Sequence, residues 1–104
     1  MHDTQFSKLA EQTIASIADI IEKQDQDCLI DIDLQGDILN LTTVHGVYVL
    51  NKHSAAKEIW LSSPISGPYH FAYKSGLWQS RASISLFEIL SNELQLDFRA
   101  NFSI

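Results

Sequence analysis

Asn51–Phe71, NKHSAAKEIWLSSPISGPYHF, is the stretch on which the reading of the whole chain turns. The run Glu58–Ser62 alternates polar and apolar residues as far as Leu61, with β-branched and aromatic side chains at its centre, and so reads as one antiparallel strand with two faces. If Ile59 and Leu61 point into a core, Trp60 points away from it. Ser63-Pro64-Ile65-Ser66-Gly67-Pro68 then supplies two fixed φ angles and one permissive glycine, and Tyr69–Tyr73 resumes the alternation. The two strands therefore form a hairpin.

Working outward, Val47–Lys52 is a strand joined to the Trp60 strand through Ser54-Ala55-Ala56, with His45-Gly46 as the turn before it. Ile38–Thr43 precedes that turn. It pairs through Gln35-Gly36-Asp37 with a run in which Cys28, Ile30, Ile32 and Leu34 take the core face. The expectation for Cys28 is a small buried hydrophobe. Downstream, Lys74-Ser75-Gly76 turns the chain into a short strand, Leu77–Gln79. Both ends of the chain read as helix. From about Gln5 to Lys23, capped by Asp3 or Thr4, the residues Phe6, Leu9, Ala10, Thr13, Ile14, Ile17, Ile20 and Ile21 form one buried stripe. From a cap at Ser83 or Ser85 to about Leu94, Ile84, Leu86, Phe87, Leu90 and Leu94 form a second. Phe98, Phe102 and Ile104 are anchors for a tail packed across the helices.

Helix, five or six antiparallel strands and helix make an α+β fold, a two-layer α/β sandwich with both helices on one face of the sheet. At 104 residues, 45% hydrophobic and 19% charged, residues 1–104 are expected to be a single domain that builds its core without disulfides. The lone cysteine excludes a disulfide framework or a cysteine-based zinc site. No secretory or membrane-spanning segment is present, which predicts a cytoplasmic protein.

Charge placement says more than the net charge of −6. Residues 1–37 hold nine acids against Lys8 and Lys23, a net of −7, and the remainder is close to neutral. A nucleic-acid partner is excluded, because phosphate contacts need a basic face, whereas cations or basic protein surfaces are favoured. Glu11, Asp19, Glu22, Asp25, Asp27, Asp31 and Asp33 would form a ridge if the first helix lies alongside the first strand. Carboxylates are hard ligands for iron, manganese, calcium or magnesium, and a strand spaces Asp31 and Asp33 about 6.6 Å apart. Any ion there should be held weakly, at the surface, with several waters retained. The plainer reading is a solvated face. Among the histidines, His2 could extend the ridge beside Asp3, and His70 sits in an alternating strand as a structural residue. A second site is the open sheet face around Trp60, whose aromatic anchor and polar neighbours have the composition of a protein interface. Enzyme motifs are missing: no phosphate-binding loop, no nucleophile elbow and no Glu-x-x-His helix pair that a dinuclear ferroxidase would need.

The outward Trp60 beside Asn51-Lys52, followed by the Ser-Pro-x-Ser-Gly-Pro turn, resembles the frataxin family, and the lack of an N-terminal extension is most similar to its bacterial members. The resemblance covers nearly the whole chain. It implies ferrous or ferric iron on the acidic ridge, and docking to the cysteine desulfurase and scaffold of iron–sulfur cluster assembly through Asn51, Lys52, His53 and Trp60. It also implies a monomer at rest, open to oligomers under iron load. His53 and Glu58 stand where the family usually has glutamine, and Ala15, Ala18, Lys23 and Leu29 dilute the ridge. The alternative is a metal-independent regulator whose acids bind a basic partner surface.

Overall fold

The structure, a computed structural model, describes residues 2–98. Its elements run α1 (Asp3–Gln24), β1 (Asp31–Gln35), β2 (Ile38–Thr43), β3 (Gly46–His53), β4 (Glu58–Ser63), β5 (Gly67–Lys74), β6 (Leu77–Gln79) and α2 (Leu86–Leu94). The six strands form one antiparallel meander in sequence order. Short turns permit nothing more complex, since each strand is joined to its neighbour by a handful of residues.

The hairpin that anchors the fold pairs as its alternation dictates, with Ile59 opposite Phe71, Leu61 opposite Tyr69 and Trp60 opposite His70. Ile59, Leu61 and Phe71 are buried beneath the helices together with Leu39, Leu41, Tyr48, Leu50 and Trp78. From above, α1 contributes Phe6, Ala10, Ile14, Ile17, Ile20 and Ile21, and α2 contributes Leu86, Phe87, Ile89 and Leu90. Each of these large side chains, fully withdrawn from water, stabilises the fold by roughly 1.5–3 kcal/mol before entropy is counted. Trp78 meets the helix layer with its one polar atom satisfied: Nε1 donates to Thr13 Oγ1 at 3.1 Å, and that hydroxyl donates to the Leu9 carbonyl at 2.8 Å. Gly46 has φ +126°, and a Cβ there would lie 2.8 Å from Pro64 Cβ, so only glycine lets the β2–β3 turn meet the β4–β5 turn.

Four expectations are corrected. Helix α1 begins at Asp3, not Gln5, with His2 ahead of it and the Gln5 side chain accepting the His2 N–H. Strand β1 begins only at Asp31, because Asp25 folds the preceding segment into a loop; Cys28 sits in that loop, exposed and at φ +53°. Leu34 faces the helix layer but, at the sheet edge, remains 41% exposed. Helix α2 begins at Leu86 behind an N-cap at Ser85, whose Oγ accepts from the Phe87 N–H at 3.2 Å, so Ile84 lies outside it and is exposed. Phe98 is fully buried, whereas Phe102 and Ile104 lie outside the described residues.

Candidate metal rim and docking face

The acids predicted as one ridge occupy three different settings. Glu11, Asp19 and Glu22 project from the solvent side of α1, Asp25 and Asp27 lie in the loop after it, and Asp31 and Asp33 face the side of the sheet away from the helices. Glu11 Oε2 is taken by Lys52 Nζ at 2.8 Å and by Ser7 Oγ at 3.0 Å. These contacts hold its carboxyl below the usual carboxylate range. Asp19 pairs with Lys23 at 2.9 Å one helical turn on. Asp25 accepts the backbone N–H groups of Leu29 (3.0 Å) and Ile30 (2.8 Å) through its two oxygens, which makes it the staple of the loop.

Glu22, Asp27, Asp31 and Asp33 make no ion pair among the described residues, and Asp33 has only a long contact from Gln35 Nε2 at 3.4 Å. Nowhere among the described residues do three or more His, Cys, Asp or Glu side chains converge to hold a metal ion. Among the described residues these four acids therefore make a rim of unneutralised charge and no preformed cage. Asp31 and Asp33 share one face of an edge strand, and among the described residues no cation lies beside them. Replacing both by Asn should raise the melting temperature in low salt by a few degrees and weaken cation binding. Thermal melts at two ionic strengths check this, and a lower melting temperature would show that the two charges do not repel usefully.

Lys52, expected on the docking face, points the other way. It pairs with Ile59 and so shares the helix-facing side of the sheet. Its ammonium reaches Ser7 Oγ (2.6 Å), Glu11 (2.8 Å) and Asp37 (3.3 Å), and only 9% of its side chain is exposed. The hydrogen bond to Glu11, with Asp37 adding to it against the opposing cost of burial, pushes the Lys52 pKa up. Lys52 thus ties α1 to the β1–β2 turn. Lys52→Met should cost a few degrees of melting temperature and raise the Glu11 pKa, read from its side-chain carbon shifts against pH.

The candidate docking face is built from Asn51, His53 and Trp60. Asn51 is the cross-strand partner of Trp60, and Trp60 is only half-buried. The indole is not bare. His53 stacks on it at 3.8 Å between ring centroids and 9° between planes, and His70 stacks at 4.2 Å and 9°. Trp60 Nε1 donates to Glu58 Oε1 at 2.9 Å. The sequence reading left out His70 and Glu58 as members of this face. The signal was available: His70, like Trp60, takes the outward position of its strand, and pairing the hairpin across its turn sets the two side by side.

A second omission is Glu93, a charged residue on the apolar stripe of α2. Its Oε1 accepts from Ser63 Oγ (2.6 Å) and Tyr48 OH (2.9 Å), and Oε2 accepts from Ser66 Oγ (2.5 Å). Ser63 Oγ in turn accepts the N–H groups of Ile65 and Ser66, both at 3.1 Å. Burial pushes the Glu93 carboxyl up, the hydrogen bonds from Ser63, Ser66 and Tyr48 pull it down, and the net shift is downward. Tyr48 is pushed up to about 12, by burial first and then by Glu93.

This architecture, with an acidic rim beside an aromatic sheet face, has relatives. The frataxin-like domain model matches residues 1–100. The chain belongs to the frataxin family. Frataxins as a family are linked to iron binding and iron–sulfur cluster assembly. Trimeric frataxin from the yeast Saccharomyces cerevisiae, with full-length N-terminus, is 33% identical, covering 83% of this chain and 75% of its own, at a TM-score of 0.76. The trimeric yeast frataxin complexed with ferrous is 30% identical over 91% of this chain and 84% of its own, at a TM-score of 0.70. Frataxin from Psychromonas ingrahamii, of the CyaY protein family, has the same fold at a TM-score of 0.81, with 24% identity over 94% of this chain and 98% of its own.

Proposed function

We propose that this frataxin is an iron-binding accessory protein of iron–sulfur cluster assembly, acting in the cytoplasm. Iron, ferrous or ferric, is its cargo. Glu22, Asp27, Asp31 and Asp33 hold that cargo weakly, through waters, while Glu11, Asp19 and Asp25 shape the rim and contribute field more than ligation. The sheet face of Asn51, His53 and Trp60 docks the cysteine desulfurase and its scaffold. The observation that carries this reading is the run of rim carboxylates without ion-pair partners among the described residues, two of which, Asp31 and Asp33, lie on the same side of the sheet as Trp60. A docked partner would then meet the iron and the indole together. The protein works as a monomer, with iron-loaded oligomers as a secondary state.

One observation favours a second reading. With no three-ligand cluster among the described residues, the rim can act as a purely electrostatic partner for a basic surface, and iron binding becomes incidental. Affinity for purified desulfurase, measured with and without ferrous iron, separates the two. Iron that leaves affinity unchanged or raises it, while staying bound in the complex, supports the carrier. Iron that is expelled on docking and lowers the affinity supports the metal-independent regulator, whose acids meet the partner's basic surface in place of the ion.

A further inference from the structure

His53, Trp60 and His70 stand on three adjacent strands, β3, β4 and β5, with their rings parallel to within 9° at each step. Because β3 and β5 flank β4 on opposite sides, the imidazoles lie on opposite faces of the indole. The ladder is fixed at both ends. His53 Nδ1 accepts the Ala56 N–H at 3.3 Å, which places the proton of the neutral ring on Nε2. The His70 Nδ1 lies 4.0 Å from Glu58 Oε1, the same oxygen that accepts from Trp60 Nε1. Glu58 thus faces both the indole and the His70 imidazole.

This arrangement changes what the face can bind. An open indole face attracts an arginine or another aromatic ring by stacking. Here both faces are covered, and what is left to a partner is the edge of the ladder. Ring edges carry partial positive charge and the imidazoles add N–H donors, so the edge calls for hydrogen-bond acceptors.

We propose that His53 and His70 are positioning residues that hold the Trp60 indole edge-on, so that the docking face selects a protein segment presenting backbone carbonyls. The proposal rests on the reading that this face docks the desulfurase complex, and the experiment separates the two claims. Affinity for the purified desulfurase–scaffold complex is measured for the wild type, Trp60→Ala, a His53→Ala/His70→Ala double variant and a His53→Phe/His70→Phe double variant. In the free protein, the Trp60 indole proton shifts are read by NMR, where the stacked imidazoles should move them upfield.

Expected are wild-type melting behaviour with relaxed indole shifts and at least tenfold weaker docking in the double-alanine variant. The double-phenylalanine variant should keep the upfield shifts. Docking insensitive to Trp60→Ala overturns the docking reading itself. Docking sensitive to Trp60→Ala but unchanged in the double-alanine variant overturns the selection of an acceptor-bearing partner and leaves the docking reading standing.

Discussion

Glu93→Ala will lower the melting temperature by about 10 °C, the largest stability loss expected of any polar substitution in this domain. Three hydroxyls converge on that carboxylate, and truncation leaves the buried Tyr48 and Ser63 hydroxyls without their acceptor. Unpairing buried polar groups costs about 1–3 kcal/mol each, less where water can enter, which puts the sum near ~2–3 kcal/mol. For a domain of this size each kcal/mol moves the midpoint by roughly 4–8 °C. The loss spreads beyond α2, because Ser63 also holds the Pro64–Ser66 turn through two backbone N–H groups. Glu93→Gln, which keeps an acceptor and loses the charge, should cost about half as much.

The pH dependence of this network has a definite sign. The folded-state pKa of Glu93 is depressed, so its contribution is complete above the ordinary carboxylate value of 4.5 and disappears as pH falls through the lower folded value. That of Tyr48 is raised from 10.0 to about 12, so its contribution is complete below 10 and disappears as pH rises toward 12. The difference in stability between wild type and Glu93→Ala should therefore be flat across neutral pH and shrink at both extremes. Urea midpoints at neutral pH and on the acid and alkaline limbs check it, and a difference that does not shrink on acidification would contradict the network.

Trp60→Ala should weaken docking of the desulfurase complex by about 30-fold or more, the effect of losing an interface anchor worth at least ~2 kcal/mol. The fold should survive. Trp60 lies on the side of the sheet away from the helices, and its removal forfeits two ring stacks worth about 0.5–1.5 kcal/mol each, without opening the core. Titration calorimetry against the complex, paired with a thermal melt, decides the matter. Unchanged affinity with a collapse in melting temperature would make Trp60 a structural residue only.

The architecture was legible because alternation in strands and the 3.6-residue period in helices leave little choice of face. Ile59 and Leu61 inward and Trp60 outward followed from three adjacent letters, and six strands joined by short turns could only meander. The same rule, applied one strand earlier, would have corrected Lys52: Asn51 and Lys52 are neighbours, so they cannot share a face. Reading them as a pair overlooked the pleat. Cys28 was misplaced for a different reason, since an alternating apolar run extends visually into a loop whose course is fixed by the Asp25 side chain, which no periodicity reports.

The candidate site was less legible than the fold. Proximity in sequence gathered seven carboxylates, but their availability depends on partners far along the chain, such as Lys52, 41 residues from Glu11. Glu93 carried a signal that was passed over. A charge on the stripe of Leu86, Leu90 and Leu94 must be paid for by buried donors, and the serine-rich turn of the anchoring hairpin supplied two of them.

The central claim is that the rim binds iron through carboxylates that have no cation partner among the described residues. Titrating ferrous iron anaerobically into the protein while following backbone amides by NMR tests it residue by residue. The account predicts that the amides of Glu22, Asp27, Asp31 and Asp33 broaden first, while those of Glu11 and Asp19, held by Lys52 and Lys23, respond only at higher iron. Broadening that starts at Glu11 and Asp19, or that leaves the β1 edge untouched, would contradict it.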